Sequence, residues 1–134
     1  MSVPRFWREI PQRYTLQGAR CKACTTTYYP PRAVCPNCRR ESIGQMEPLR
    51  MAGKGTVVSH TTVHESFGDF ALQTPYCLAL VRLDEGPLVT APIIEVEPDK
   101  VDIGLKVEAT FRRIAQDGDA GIIYYGTKFR PLRA

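Results

Sequence analysis

The chain has 134 residues, 43% of them hydrophobic and 24% charged, with a formal net charge of +4. That is one ordinary domain or two small units, and no apolar run approaches the ~20 residues that cross a bilayer. The opening MSVPRFWREI has neither an apolar stretch nor a small-residue cleavage site, so a cytoplasmic protein with no membrane association is expected. The charge is uneven: residues 1–50 hold nine Lys/Arg against three Asp/Glu, and residues 51–134 hold nine against eleven.

The first elements in the chain are aromatic and then cysteine-rich. PRFWREIPQRY predicts a short helix that starts at Pro4 and stops near Pro11, with Phe6, Trp7 and Ile10 on one side. Such a helix either caps the domain that follows or serves as an arm that packs into a partner. Next comes CKACTTTYYPPRAVCPNC, residues 21–38, with two C-x-x-C pairs ten residues apart. Three readings compete for four thiols so close together. A disulfide framework fits poorly with a reducing compartment. A redox C-x-x-C comes singly, near the start of a helix in a βαβ unit. Metal binding accounts for both copies at once: each pair turns two sulfurs onto one side of an ion, and two pairs complete a tetrahedron. Cys21, Cys24, Cys35 and Cys38 are therefore the expected ligands of one structural Zn²⁺ per chain. Iron suits four sulfurs equally well, but apart from Tyr28 and Tyr29 the stretch lacks the apolar wrap of a redox centre. Four protein ligands leave no open position, so the site is expected to be structural and not catalytic. The residues between the pairs, TTTYYPPRAV, predict a strand, a Pro-Pro turn and a return. A filled site carries a charge of about −2, which gives the basic first half a local use besides attraction of phosphate.

RRESIGQMEPLR, residues 39–50, reads as a linker. Five strand-like segments follow: GTVVSHTTVHES, YCLALVRL, LVTAPIIEV, KVEATFRRI and IIYYGTKFR. Pro92 in the third marks an edge or a bulge. The fourth alternates, with Val107, Ala109, Phe111 and Arg113 on one face and Lys106, Glu108, Thr110 and Arg112 on the other. Five strands with little helix predict a small closed barrel of the OB type, with an SH3-like barrel as the alternative. The loop SFGDFALQTP carries Phe67, Phe70 and Leu72 outside any strand, as plugs of the barrel mouth or as anchors for a partner. AQDGDAG is a plain exposed connection.

No catalytic set is expected. His60 and His64 fall four apart on one predicted strand, about 13 Å from each other, too far to share an ion. Cys77 alternates with Leu78 as a small core residue would. Gly53-Lys54-Gly55 is too short to cradle a phosphate, and Glu95, Glu97, Asp99 and Asp102 look like a solvated strand end.

The order of these parts resembles the zinc-ribbon plus OB-fold family that accompanies thiolases and hydroxymethylglutaryl-CoA synthase, long catalogued as a domain of unknown function. The resemblance covers nearly the whole chain. It is carried by FW, LQGARCKAC, YYPPRAVCPNC, GKGTVVSHTTV, PYCLALVRLDEGPLV, IGLKV and FRP. Thr25 and Arg39 depart from it, since members commonly carry Gly after the second cysteine of each pair. The resemblance implies a mainly β fold: an N-terminal helical arm and rubredoxin-like zinc ribbon over residues 1–48, then an OB-fold barrel over 49–134. It also implies a non-catalytic subunit of a hetero-oligomer that bridges partners in a thiolase-type complex and helps shape an acyl-CoA site, with CoA or acyl-CoA as a shared ligand. A nucleic-acid-binding ribbon and barrel is the alternative. The acid excess of residues 51–134 disfavours it, although Arg112, Arg113, Lys128 and Arg130 form a small basic patch. A stand-alone acyl-CoA enzyme using Cys77 or the histidines is a third, weaker reading.

Overall fold

Two short helices open the chain in the computed structural model, which describes residues 2–133. They are α1 (Val3–Arg8) and α2 (Ile10–Thr15), where a single helix ending at Pro11 is predicted. Each carries a proline in its first turn. The first N–H groups of a helix have no partner within it, so a proline there costs nothing, and Pro11 starts a helix instead of stopping one. Glu9 joins the two, accepting from Arg5 Nε at 3.1 Å and Arg13 Nε at 2.9 Å. Phe6, Trp7 and Ile10 do not share one environment. Phe6 is buried, edge-on to Tyr124 at 4.7 Å between ring centroids, whereas Trp7 is 70% exposed. The helices thus cap the barrel with one face and present a tryptophan with another. Two hydrogen bonds fasten α2: Tyr29 Oη donates to the Gln12 carbonyl at 3.0 Å, and Thr127 Oγ1 to the Arg13 carbonyl at 3.2 Å.

Beyond α2 the chain turns through Leu16, in the left-handed region at φ 49°, into β1 (Gln17–Cys21). This is the centre of a three-stranded antiparallel sheet in the order β2–β1–β3, with β2 at Thr27–Tyr28 and β3 at Met46–Arg50. Two expectations are corrected here. The hairpin is not built within residues 25–34: the turn joining β1 to β2 is the first cysteine pair itself, and residues 30–38, which open on Pro30 and Pro31 with no N–H to offer a ladder, hold no strand. Nor are residues 39–50 a linker. They form a short 3₁₀ turn over Arg39–Ser42 and then β3, paired along its whole length with β1.

The barrel is closed by β4 (Lys54–Val63), β5 (Tyr76–Leu83), β6 (Leu88–Ile93), β7 (Lys106–Gln116) and β8 (Ile123–Pro131). Their order around the wall is β4–β5–β6–β8–β7, and β7 returns to β4. This is the OB fold. Among the described residues the seam between β6 and β8 is the one parallel contact, at Ile93 opposite Phe129. Pro92 faces its missing N–H to this thinly bonded side, where it breaks no ladder. Gly55 lies in β4 between both neighbouring strands, and a Cβ there would meet the Arg82 carbonyl and the Val81 side chain. Inward residues recur at period two. Val57, Val81, Leu83, Val107 and Phe129 are at most 1% exposed, each stabilising by about 1.5–3 kcal/mol. The same core takes in Leu16 and Met51, so ribbon and barrel share it at the point where Met51 N donates to the Leu16 carbonyl at 3.1 Å. His64 falls just past the end of β4 and not within it. No helix among the described residues is long and apolar enough to cross a membrane.

Candidate metal centre

The two C-x-x-C pairs adopt the same local form. Thr25 N donates to the Cys21 carbonyl, and Arg39 N to the Cys35 carbonyl, both at 2.8 Å. Thr25 (φ 61°) and Arg39 (φ 51°) occupy the left-handed region that glycine would fill without strain. The turn is therefore kept at both positions that depart from the family pattern, at a backbone cost. Ser42, fully buried, braces the second pair: its Oγ accepts from Cys35 N at 2.8 Å and donates to the Arg39 carbonyl at 2.6 Å.

The result is convergence of Cys21, Cys24, Cys35 and Cys38, whose four sulfurs all lie within 4.8 Å of one another. Cys21 Sγ is 3.9 Å from Cys38 Sγ, and Cys24 Sγ is 3.5 Å from Cys35 Sγ. A disulfide is ~2.05 Å long, so these are free thiols. A tetrahedron with metal–sulfur bonds of ~2.3 Å has edges of about 3.8 Å, and the two spacings bracket that value. Cys21 and Cys35 are wholly buried, Cys24 and Cys38 half-buried.

Without a cation the four sulfurs cannot all ionise. The Tyr28 hydroxyl, 3.2 Å from Cys35 Sγ, together with the Asn37 and Cys38 backbone N–H groups draws the Cys35 thiol down to about 6. Cys38 is pushed up to about 12 by its contact with Cys24, by burial and by Cys21. Tyr28 in turn is pushed up to about 12, chiefly because it is bound to Cys35. Burying several thiolates together requires compensating positive charge, which a divalent ion held by the four sulfurs would supply. The donor set, the spacing and the burial fit zinc.

The other residues singled out from sequence do not assemble into a site. His60 and His64 are exposed. Cys77 is 1% exposed in the barrel core, and burial pushes its thiol up, away from the reactive thiolate. An apolar groove of about 270 Å³ opens beside α2, between Phe6, Arg13, Tyr29, Phe70, Pro92 and Tyr124, and no carboxylate, histidine or cysteine lines it. Most of the basic patch is already engaged, while Arg113 stays exposed. Arg112, Arg130 and Arg133 converge on Glu95 at 2.6, 3.6 and 2.9 Å, and Arg130 Nε also donates to Glu108 at 2.8 Å. Lys128 is 6% exposed and donates to Gln73 Oε1 at 2.8 Å. In the loop before β5, Phe70 packs down on Tyr76 and Lys128, whereas Phe67 and Leu72 are 94% and 100% exposed. Sequence reasoning did not find Tyr28 as a partner of the Cys35 sulfur, nor Ser42 as a partner of the Cys35 backbone. A hydroxyl seven residues before or after Cys35 carries no spacing signal, because β2 and the 3₁₀ turn bring it there.

Comparison with known proteins gives a consistent result. Residues 8–44 match the model of the ChsH2 rubredoxin-like zinc ribbon domain, and residues 50–112 that of the ChsH2 C-terminal OB-fold domain. The chain is 47% identical to a DUF35 domain-containing scaffold protein of Methanocaldococcus jannaschii, over 97% of this chain and 91% of that one. It is 42% identical to one of the same description from Methanothermobacter thermautotrophicus, over 95% and 94%. A probable enoyl-CoA hydratase alpha subunit of Thermomonospora curvata is 34% identical over 76% of this chain but only 31% of that longer protein. Among solved structures, a chain of an Ltp2-ChsH2(DUF35) aldolase superposes with a TM-score of 0.73 at 30% identity, covering 98% of this chain and 96% of that one.

Proposed function

Because the chain belongs to the DUF35 family of zinc-ribbon and OB-fold scaffold proteins, the family of ChsH2, we propose that it is a non-catalytic subunit of a thiolase-type acyl-CoA complex. In this reading it bridges enzyme partners and contributes a wall to an acyl-CoA site. The observation that carries it is whole-length likeness to DUF35 scaffold proteins in a chain whose described residues assemble no catalytic group. The four cysteines hold one structural zinc. It fixes β1, β2 and β3 as a rigid unit that has almost no core of its own, and it takes no part in chemistry because all four positions are filled from the chain. Trp7, Phe67 and Leu72 then serve as apolar anchors for the partner, and the groove beside α2 takes the apolar arm of the shared ligand. Thiols kept free for a metal belong in a reducing compartment, so the assembly is cytoplasmic. The nucleic-acid alternative is weakened where Glu95 and Glu108 engage Arg112 and Arg130.

Co-purification of the tagged chain from its native host, followed by reconstitution with the recovered thiolase-like protein, tests this. A stoichiometric complex is expected. Trp7→Ala with Phe67→Ala and Leu72→Ala should weaken it by about tenfold or more, since central aromatic anchors cost at least ~2 kcal/mol when truncated. Recovery of the chain only as a free monomer, or a triple variant with unchanged affinity, contradicts the proposal.

A further inference from the structure

The sulfurs of the metal centre are not equivalent. Side-chain hydroxyls reach two of them: Tyr28 lies 3.2 Å from Cys35 Sγ, and Thr26 Oγ1 lies 3.3 Å from Cys24 Sγ. Cys21 and Cys38, which contact each other, have no such neighbour among the described residues. Tyr28 is also held in place. Its backbone pairs with Ala19 in β1, and the Arg32 guanidinium sits over its ring at 5.5 Å. A phenol fixed from two sides, with its oxygen on a ligand sulfur, is a group built to donate.

We propose that Tyr28 is a positioning residue of the metal centre, whose hydroxyl donates to the metal-bound Cys35 thiolate and sets how tightly the ion is held. This rests on the metal reading above and goes beyond it. Four thiolates around a divalent cation keep a surplus of two negative charges, and a hydrogen bond to one sulfur draws part of that charge off it. Outer partners of metal ligands commonly change affinity by about 10- to 100-fold. The basic groups of the first half of the chain thus reach the centre partly through Tyr28, with Arg32 against the phenol and the phenol against the sulfur.

Tyr28→Phe keeps the ring and removes only the donor. The test loads wild type and variant with cobalt(II), a spectroscopic substitute for zinc, and compares the sulfur-to-cobalt charge-transfer band. It also measures zinc affinity by competition with a chromophoric chelator. A sulfur that has lost its donor gives up an electron more readily, so the band moves to lower energy, and zinc affinity falls about 10- to 100-fold. Tyr29→Phe is the control: its hydroxyl serves the Gln12 carbonyl, so its band stays in place even if the fold is weakened. An unmoved band in Tyr28→Phe overturns the inference, whatever happens to affinity, because loss of packing alone does not change the sulfur's electrons. A wild-type chain that takes up no cobalt overturns the metal reading together with this inference.

Discussion

Phe6→Ala isolates what holds the N-terminal helices to the barrel. The side chain is 5% exposed, packed edge-on against Tyr124 at 4.7 Å and Tyr14 at 5.9 Å, with Arg13 over its ring at 5.4 Å. Burial of a phenylalanine stabilises by about 1.5–3 kcal/mol, and each aromatic pair adds at most about 0.5–1.5 kcal/mol. A terminal helix can settle into part of the space left behind, so the low end of the usual range applies, and a loss of ~2–4 kcal/mol is expected. At ~1.4 kcal/mol per factor of ten this is a rise of about 30- to 1,000-fold in the opening of α1 and α2. Amide hydrogen exchange reads it directly. The amides of Phe6, Glu9 and Arg13, bonded to Ser2, Arg5 and Glu9, should lose protection by that factor. Those of β5, in the barrel wall, should keep theirs. Equal protection in variant and wild type would mean that Phe6 does not dock the arm. Loss spread evenly through the barrel would mean that arm and barrel open as one unit.

Three further outcomes follow from the same geometry. Thr25→Gly relieves a β-branched residue held at φ 61°; left-handed strain of ~1–2 kcal/mol, less the entropy glycine adds to the unfolded chain, predicts a gain of about 0.5–1 kcal/mol in zinc-loaded denaturation. A loss would show that the Thr25 hydroxyl bond to the Cys24 carbonyl outweighs the strain. Glu95 is held below the usual carboxylate range by Arg133, with Arg112 and Arg130 adding to the effect. A depressed folded-state value means its contribution is present above the unfolded pKa near ~4.3 and fades as pH falls through the folded value. Stability measured from pH 5 to 3 should therefore fall less steeply in Glu95→Gln than in wild type, and equal slopes would contradict the network. Cys77→Ala should cost ~1 kcal/mol, about one buried methylene-sized group, and leave the turnover of the reconstituted complex unchanged. Lost turnover at full stability would make Cys77 a participant in the chemistry.

Legibility in the sequence divides along physical lines. Strands such as β5 could be read because one face is buried, and burial writes a period of two into YCLALVRL; KVEATFRRI alternates in sequence, but its burial loses that period beyond Val107, where Phe111 stands 48% exposed. The four candidate ligands stand out because a C-x-x-C turn places two sulfurs locally, with no help from the rest of the fold. β3 was missed because MEPLR has neither β-branched residues nor alternation, and it exists only because β1 offers it a ladder from Gln17 to Cys21. Pro11 misled through its position: the same residue ends a helix in its interior and begins one in its first turn. Phe67, Phe70 and Leu72 could be seen to lie outside any strand. Their division into one that packs and two that stand free depends on Tyr76 and Lys128, which no local pattern joins to them.

Metal content measured together with the order of the ribbon tests the central claim most directly. Native mass spectrometry of the freshly purified chain, with amide spectra of β1–β3 recorded before and after chelation, should find one zinc per chain. Removal of the ion should unfold the ribbon. A chain that carries no ion and keeps an ordered ribbon, or one whose ion is held by fewer than four sulfurs, would contradict it.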